Sequence, residues 1–350
     1  MSVIVPVYNG AGMLERCLAS LGRSAWQDYE CIVVDDGSTD ATREVAARYP
    51  VRVVSLATRG GPARARNRGA EHARGEILVF LDADVCVHPD TLTLIDAHFR
   101  AHPGAAAVMG SYDATPADPG FVSQFKNLFH HYVHHQSRTD AWTFWAGCGA
   151  IYRQAFQAAH GFDESYKRPS IEDIELGYRL RTAGQRIDLD ATIQVTHLKR
   201  WTFWRLMRTD LLDRGVPWFL LMLRDRTMPA DMNVTRAHRL SVALVFAMVL
   251  LCAGVWVGRM MASTLHIPRV VAGPLPLLMA AALAAVLVLL NLDLYRFFVR
   301  RRGVLFTVGA VPLHWLYYMN CGLAVGVGVT VYLWGKLPPR RRVPSAQPSS

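Results

Sequence analysis

The chain has 350 residues, a formal net charge of +10 at pH 7 and 51% hydrophobic side chains, enough for a full catalytic domain and a further region. The basic excess does not mark a nucleic-acid binder. Much of it flanks long apolar runs (Arg236, Arg239, Arg296, Arg300–Arg302, Lys336, Arg340–Arg342), and no basic module interleaved with stacking aromatics is present. Six scattered cysteines without a CxxC pair exclude a disulfide framework or a zinc ribbon, and suit a reducing compartment.

The chain opens on "SVIVPVYN", a strand over Ser2–Val7 rather than a cleavable signal. A helix follows over Met13–Leu21, a strand over Glu30–Asp35 and a helix from about Asp40 to Arg48, with Asp40 placed to cap it. Then come a strand over Val51–Leu56, a helix over Pro62–Ala73 with Pro in its first turn, and a strand over Ile77–Leu81. This alternation predicts an α/β domain whose mostly parallel sheet is covered on both faces. Ligands of such sheets bind beyond the carboxyl ends of the strands.

That rule groups three loops at one rim: "VDDGSTD", "LATRGGPARARN" and "LDADV". Each alone is ordinary turn chemistry; together they favour a site. In "ILVFLDADV" an apolar run ends in Asp82 and Asp84, and residues i and i+2 of an extended chain point to one side. A divalent cation there would satisfy both carboxylates. No phosphate-cradling GxxxxGK[ST] occurs, and "GCGAIY" (Gly147–Tyr152) lacks the third glycine of a dinucleotide fingerprint. The cluster "FHHYVHHQ" (His130, His131, His134, His135) has ligand spacing, but with no interleaved carboxylate it reads as a helix facing solvent or acceptor.

Trp201–Arg226 mixes Trp, Leu and Arg, as an interfacial segment or a helix closing the soluble part would. Leu240–Val257 and Val270–Leu292 carry no charge, and Val308–Gly335 none beyond His314. Each approaches or exceeds the roughly 20 residues that cross a bilayer core. The expected division is a soluble head over 1–200, connecting helices over 201–235, a transmembrane region of about three spans over 236–335 and a basic, disordered tail over 336–350. With the head in the cytoplasm, two spans return Arg300–Arg302 to the inside. Pro312 and the Gly326/Gly328 region leave the last run open as a single span or a re-entrant hairpin.

The stretches "SVIVPVYN", "VVDDGSTD", "GGPARARNRGA", "LDADV", "GCGAIYRQAFQAAHGFDES" and "EDIELGYRLRTAGQRI", in this order, resemble the family 2 glycosyltransferases of the GT-A fold over about the first 200 residues. One departure is His160, where the family usually has a second glycine. The resemblance implies a Rossmann-like head that transfers a sugar from a nucleoside diphosphate with inversion, using Mg²⁺ or Mn²⁺.

By resemblance, Asp84 binds the cation with Asp82 beside it, Asp82 also reaching the ribose or sugar hydroxyls. Asp36, with Asp35 sharing the role, pairs with the nucleotide base, and Pro6 and Tyr8 form the wall beside it. Arg66 and Asn67 steady phosphate or ribose, while Arg64 and Arg68 suit a solvated helix face equally well. In "SIEDIEL" the acids Glu172 and Asp173 stand at a helix start, and the second is the family's general base. His197 resembles a histidine that contacts diphosphate or metal, or is a structural histidine. Trp145 and Gly147 offer an acceptor floor; Trp142 suits core packing as well.

The implied enzyme works at the inner, cytoplasmic membrane as a multi-pass protein, on a nucleotide-sugar donor and a lipid-linked or glycan acceptor. Two alternatives stand beside it: a polyprenyl-phosphate sugar synthase, and a membrane scaffold or lipid-binding protein with a degenerate transferase head. The absence of a QxxRW motif argues against a polymer-extruding synthase.

Overall fold

The structure, a computed structural model, describes residues 1–228, 235–265 and 275–335. The expected disordered tail lies outside the described residues. The chain divides into two compact units, the first built on residues 1–206 with 220–228, the second on 207–219 with 235–265 and 275–335.

In the first unit the elements run β1 (Ser2–Val7), α1 (Ala11–Leu21), β2 (Glu30–Asp35), α2 (Thr42–Ala46), β3 (Arg52–Ser55), α3 (Pro62–His72), β4 (Ile77–Leu81) and β5 (Val85–Val87). They continue as α4 (Thr91–Ala101), β6 (Ala105–Tyr112), α5 (Phe121–Gln136), β7 (Asp140–Ala141), β8 (Cys148–Tyr152), α6 (Arg153–Ala158), α7 (Glu172–Thr182) and β9 (Arg186–His197). The strands form one mixed sheet in the order β3-β2-β1-β4-β8-β6-β9-β5, with β7 on β9. The β3-β2-β1-β4 half is parallel, as the alternating pattern predicts. β8 then inserts antiparallel between β4 and β6, and β6 pairs parallel with β9.

Both faces are covered. Along β1, Val3, Val5 and Val7 pack with Leu14, Leu18 and Ile95 on the side of α1 and α4. Ile4 faces the opposite side, toward Ala63, Phe156 and Leu176 of α3, α6 and α7. This period of two is why a one-residue slip of β1 would exchange the residues packed on the two buried faces. α2 is shorter than predicted and its N-cap is Ala41, not Asp40; the Asp40 carboxylate instead accepts from the N–H groups of Thr42 at 3.1 Å and Ala11 at 3.2 Å, joining the starts of α2 and α1.

The connecting segment is helical: α8 (Phe203–Arg208), a π-helical stretch over Thr209–Gly215, and α9 (Val216–Asp225). In the second unit follow α10 (Arg236–Leu265), α11 (Leu275–Leu290) and α12 (Leu292–Leu333). α12 is kinked at Gly303, which sits at φ 84°. Beyond the kink it is helical through Pro312, Gly326 and Gly328, so no hairpin break interrupts the last apolar run. Two stretches among the described residues, Arg236–Gly258 and α12, are long and apolar enough to cross a membrane. α11 covers roughly 24 Å with its 16 residues; the first residues of the span predicted over Val270–Leu292, 270–274, lie outside the described residues. Polar groups in these helices find each other, as apolar surroundings demand: Tyr318 donates to Asn291 at 2.6 Å, and Asn291 to Ser241 at 3.1 Å.

Candidate active site

The site forms where β4 ends. Asp82-Ala83-Asp84 is a turn between β4 and β5 and not an extended strand, with the Val85 N–H donating to the Asp82 carbonyl at 3.2 Å. The i, i+2 argument from the sequence therefore does not hold, and the two side chains engage different elements.

Asp82 meets Arg66 of α3. The guanidinium, 4% exposed, donates to Asp82 Oδ1 at 2.7 Å and to Glu172 Oε1 at 2.8 Å, and lies 5.4 Å from the centroid of the Phe162 ring. Burial works against its charge, but the carboxylates of Asp82, Glu172 and Asp173 outweigh that and keep it protonated. Burial also pushes the Asp82 carboxyl up, against the pull of Arg66 and with that of Asp84.

Asp84 meets β9. Its Oδ2 lies 3.5 Å from His197 Nε2, whose Nδ1 is held 2.5 Å from Asn127 Oδ1 on α5. An amide oxygen only accepts, so Nδ1 carries a proton and Nε2 is the nitrogen turned to Asp84. Burial raises Asp84, but His197 and Lys199 more than reverse this and take it down to about 2. Among the described residues Asp84 Oδ1 is buried without a hydrogen-bond partner. A buried carboxylate oxygen lacking a donor fits a hard divalent cation, and Asp84, Asp82 and His197 supply the ligand types.

The two acids at the start of α7 differ. Glu172 is buried, its Oε1 on Arg66 and its Oε2 accepting from the Ser170 N–H at 2.9 Å. It is thus a fixed counter-ion to Arg66, not the proton acceptor the sequence allowed it to be. Asp173, half-buried, accepts from its neighbour Ile174 N–H at 2.8 Å and from the Ala146 N–H at 3.2 Å. That second bond ties it to the loop carrying Trp145 and Gly147. Trp145 lies directly over Gly147, where a Cβ would come within 2.5 Å of its ring, and meets Tyr112 edge-on at 4.7 Å.

On the other flank, Asp36 accepts from the Gly60 N–H at 2.7 Å and the Gly61 N–H at 2.8 Å. Asp35 is buried, bonded to the Ser38 N–H at 2.8 Å and to Arg43. Both carboxylates thus already hold protein donors and shape these loops. Pro6 is half-buried on β1, and Tyr8 beyond it is exposed with the Arg59 guanidinium 4.0 Å above its ring. Asn67 corrects the sequence reading. Its amide donates to the Phe162 carbonyl at 3.0 Å and accepts from the Phe162 N–H at 2.8 Å, so it holds the 160s loop and is not free for ribose. Arg68 pairs with Glu71 on a solvated helix face.

Residues 2–159 match Glycosyl transferase family 2. The match spans the N-terminal domain, somewhat under half of the chain. The chain is 32% identical over 220 residues to validoxylamine A glucosyltransferase of Streptomyces hygroscopicus subsp. jinggangensis (strain 5008), covering 53% of this chain and 52% of that protein. It is 29% identical over 126 residues to glycosyltransferase GlyG of Streptococcus pneumoniae serotype 4, covering 35% and 42%. The chain thus spans about half the length, or less, of these curated relatives. Mannosyltransferase PcManGT from Pyrobaculum calidifontis, solved in complex with GDP-Man and Mn²⁺, matches with a TM-score of 0.59 at 22% identity over 96% of this chain and 87% of its own. That likeness is one of fold, and the fold is GT-A.

Some residues that build the site were not singled out in the sequence. Asn127 orients His197, Phe162 faces Arg66 and the Gly60–Gly61 amides bind Asp36. Phe162 and the glycine pair lay in stretches already marked, and Asn127 did not. The histidine cluster is not a solvent-facing row: His131 and His134 are buried, with Nδ1 on the β6 carbonyls of Tyr112 at 2.8 Å and Gly110 at 3.1 Å. His134 also meets Trp145 edge-on at 5.2 Å.

Proposed function

We propose that the chain is an inverting glycosyltransferase that moves a sugar from a nucleoside-diphosphate donor to an acceptor hydroxyl at a membrane surface. The observation that carries this reading is the division of labour among four carboxylates. Asp82 and Glu172 share the buried Arg66, Asp84 keeps a buried oxygen without a donor, and Asp173 stands half-exposed beside the Trp145–Gly147 loop.

A Mg²⁺ or Mn²⁺ ion held by Asp84, with Asp82 and His197, would act as a Lewis acid for the charge of the leaving diphosphate. Asp82 orients the donor, itself oriented by Arg66. Pro6, Tyr8 and the loops shaped by Asp35 and Asp36 form the wall for base and ribose. Asp173, in the first turn of α7, accepts the proton of the attacking hydroxyl on the far face of the sugar. Trp145 gives the acceptor sugar an apolar face to stack on.

The stretches Arg236–Gly258 and α12 hold the enzyme in the inner membrane with the head in the cytoplasm, Arg300–Arg302 lying at the headgroups. Tethering raises the concentration of a lipid-linked or membrane-proximal acceptor at the site.

The test is a screen of nucleotide sugars with the full chain in detergent, with Mn²⁺ and with chelator. Turnover should need the cation, vanish in Asp84→Ala and fall at least about 10²-fold in Asp173→Asn, the range for loss of a general base. Unchanged turnover in chelator would overturn the metal assignment. A mild loss in Asp173→Asn would instead point to an acceptor phosphate, which needs no base.

A further inference from the structure

The opposite end of β9 from His197 carries a second cluster of ligating groups. His98, buried on α4, sets Nδ1 2.9 Å from Asp190 Oδ2 and Nε2 3.1 Å from Asp188 Oδ2. One turn later the exposed His102 sets Nδ1 3.1 Å from the His98 carbonyl, its ring stacked 4.3 Å from that of His98. A carbonyl accepts and cannot donate, so His102 Nδ1 holds the proton and Nε2 the lone pair in the neutral ring. Asp190 accepts at His98 Nδ1 in the same way, while His98 Nε2 faces Asp188, so a metal bound there takes the place of a proton on Nε2. Asp190 is itself held, its Oδ1 accepting from the Thr192 N–H at 3.0 Å and from the Thr192 hydroxyl at 2.6 Å. An acceptor on Nδ1 that frees Nε2 is the arrangement that surrounds metal-bound histidines.

His98, His102 and Asp188 each bring a ligand atom within 4.8 Å of the other two. We propose that these three residues form a transition-metal site separate from the donor site, with Asp190 orienting His98 and water completing the coordination. Two imidazoles and one carboxylate suit Zn²⁺, Ni²⁺ or Cu²⁺, and disfavour Mg²⁺, which prefers oxygen ligands throughout. Asp188 pairs with Val108 just before the register of β9 on β6 shifts, between the pairs Met109–Leu189 and Ser111–Gln194, and Asp190 lies within that shift. A metal on Asp188 ties the end of α4 to β9 beside its irregular part, so its role is to stiffen the domain and not to react.

One group opposes it. Arg186 donates to both oxygens of Asp188, at 2.7 and 3.0 Å, and competes with a cation for that carboxylate. Its side chain is 48% exposed, so it can turn to solvent when metal binds. The competing arrangement is metal-free, with a protonated His98 bridging the two aspartates.

The test is Zn²⁺ titration by calorimetry, with the thermal midpoint read in parallel, on the metal-stripped full chain in detergent. All variants carry Asp84→Ala to silence the donor site. One Zn²⁺ should bind and raise the midpoint, and His102→Ala, at an exposed position, should abolish both effects. Asp190→Asn should weaken binding by about 10–100-fold, and Arg186→Gln should strengthen it. Co²⁺ in place of Zn²⁺ should give a visible absorption that His102→Ala removes. Zn²⁺ binding equal with and without His102→Ala, or no binding at all, would overturn the proposal.

Discussion

Replacing Arg66 by Met removes the one cation shared by Asp82 and Glu172 while keeping most of the side-chain volume. The two partners are not equivalent. Glu172 has a side chain 5% exposed and would be left as a buried charge, whereas Asp82, at 35%, can recover part of its solvation from water. Breaking a buried pair costs about 3–5 kcal/mol, nearly all of it here from Glu172, because exposed partners contribute about 1 kcal/mol or less. For a domain of this size, at about 2–4 °C per kcal/mol, the thermal midpoint should fall by roughly 6–20 °C. The assay is tryptophan fluorescence on heating in detergent, with Glu172→Met and the double variant Arg66→Met/Glu172→Met alongside. Because the double variant leaves only the part-exposed Asp82 without its partner, it should regain most of the loss while remaining inactive. A single variant within about 1 kcal/mol of wild type, or a double variant as unstable as the sum of the singles, would refute the reasoning.

Two further outcomes follow from neighbouring loops. Gly61 sits at φ +93° and ψ 168°, a region open essentially to glycine alone, and a Cβ there would lie 2.6 Å from the Lys167 carbonyl oxygen. Gly61→Ala should therefore cost at least about 1–3 kcal/mol, read as a lower thermal midpoint. It should also raise the KM for donor, since the Gly61 N–H would no longer align Asp36. For Asp35, burial alone would push the carboxyl up, but the hydrogen bonds of Ser38 and Arg43 outweigh it and hold it below the ordinary carboxylate range. The native state then binds fewer protons than the unfolded chain near pH 4, so the stability from this group is complete above the unfolded value of about 3.9 and is lost as pH falls through the folded one. Asp35→Asn should flatten the acid limb of the midpoint-against-pH curve below about pH 4; an unchanged limb would show that Asp35 is not the group responsible.

The parallel half of the sheet was legible because β-branched runs alternate with helical ones at the spacing of crossover units. β4 occupies the residues predicted, Ile77–Leu81. The insertion of β8 between β4 and β6, and the length of β9, depend on pairings between distant segments, for which a local apolar pattern carries no information. The same limit acts within the site. Residue types at strand ends announced a cluster of carboxylates, but not which of them were already engaged. Asn67 looks like a ligand-binding amide in "RARNRGA", yet its partner is the backbone of Phe162, 95 residues away. The turn at Asp82–Asp84 was hidden by the preceding run of strand formers, which gives no sign of where the extended chain stops.

Arg66 also explains how the proposed donor carboxylate and the proposed general base, from distant parts of the sequence, can be set against each other. Asp82 ends a strand of the parallel half, and Asp173 begins a helix about ninety residues later. Arg66 holds Asp82 with one nitrogen and Glu172, the residue just before Asp173, with another. The start of α7 is therefore fixed relative to the turn by a planar group whose two donors cannot move independently. A lysine at position 66, with one ammonium on a flexible stem, could satisfy either carboxylate but would not fix the separation of the two. On this reading the adjacent acids at 172 and 173 are not alternative bases. One holds the helix in register so that the other meets the acceptor.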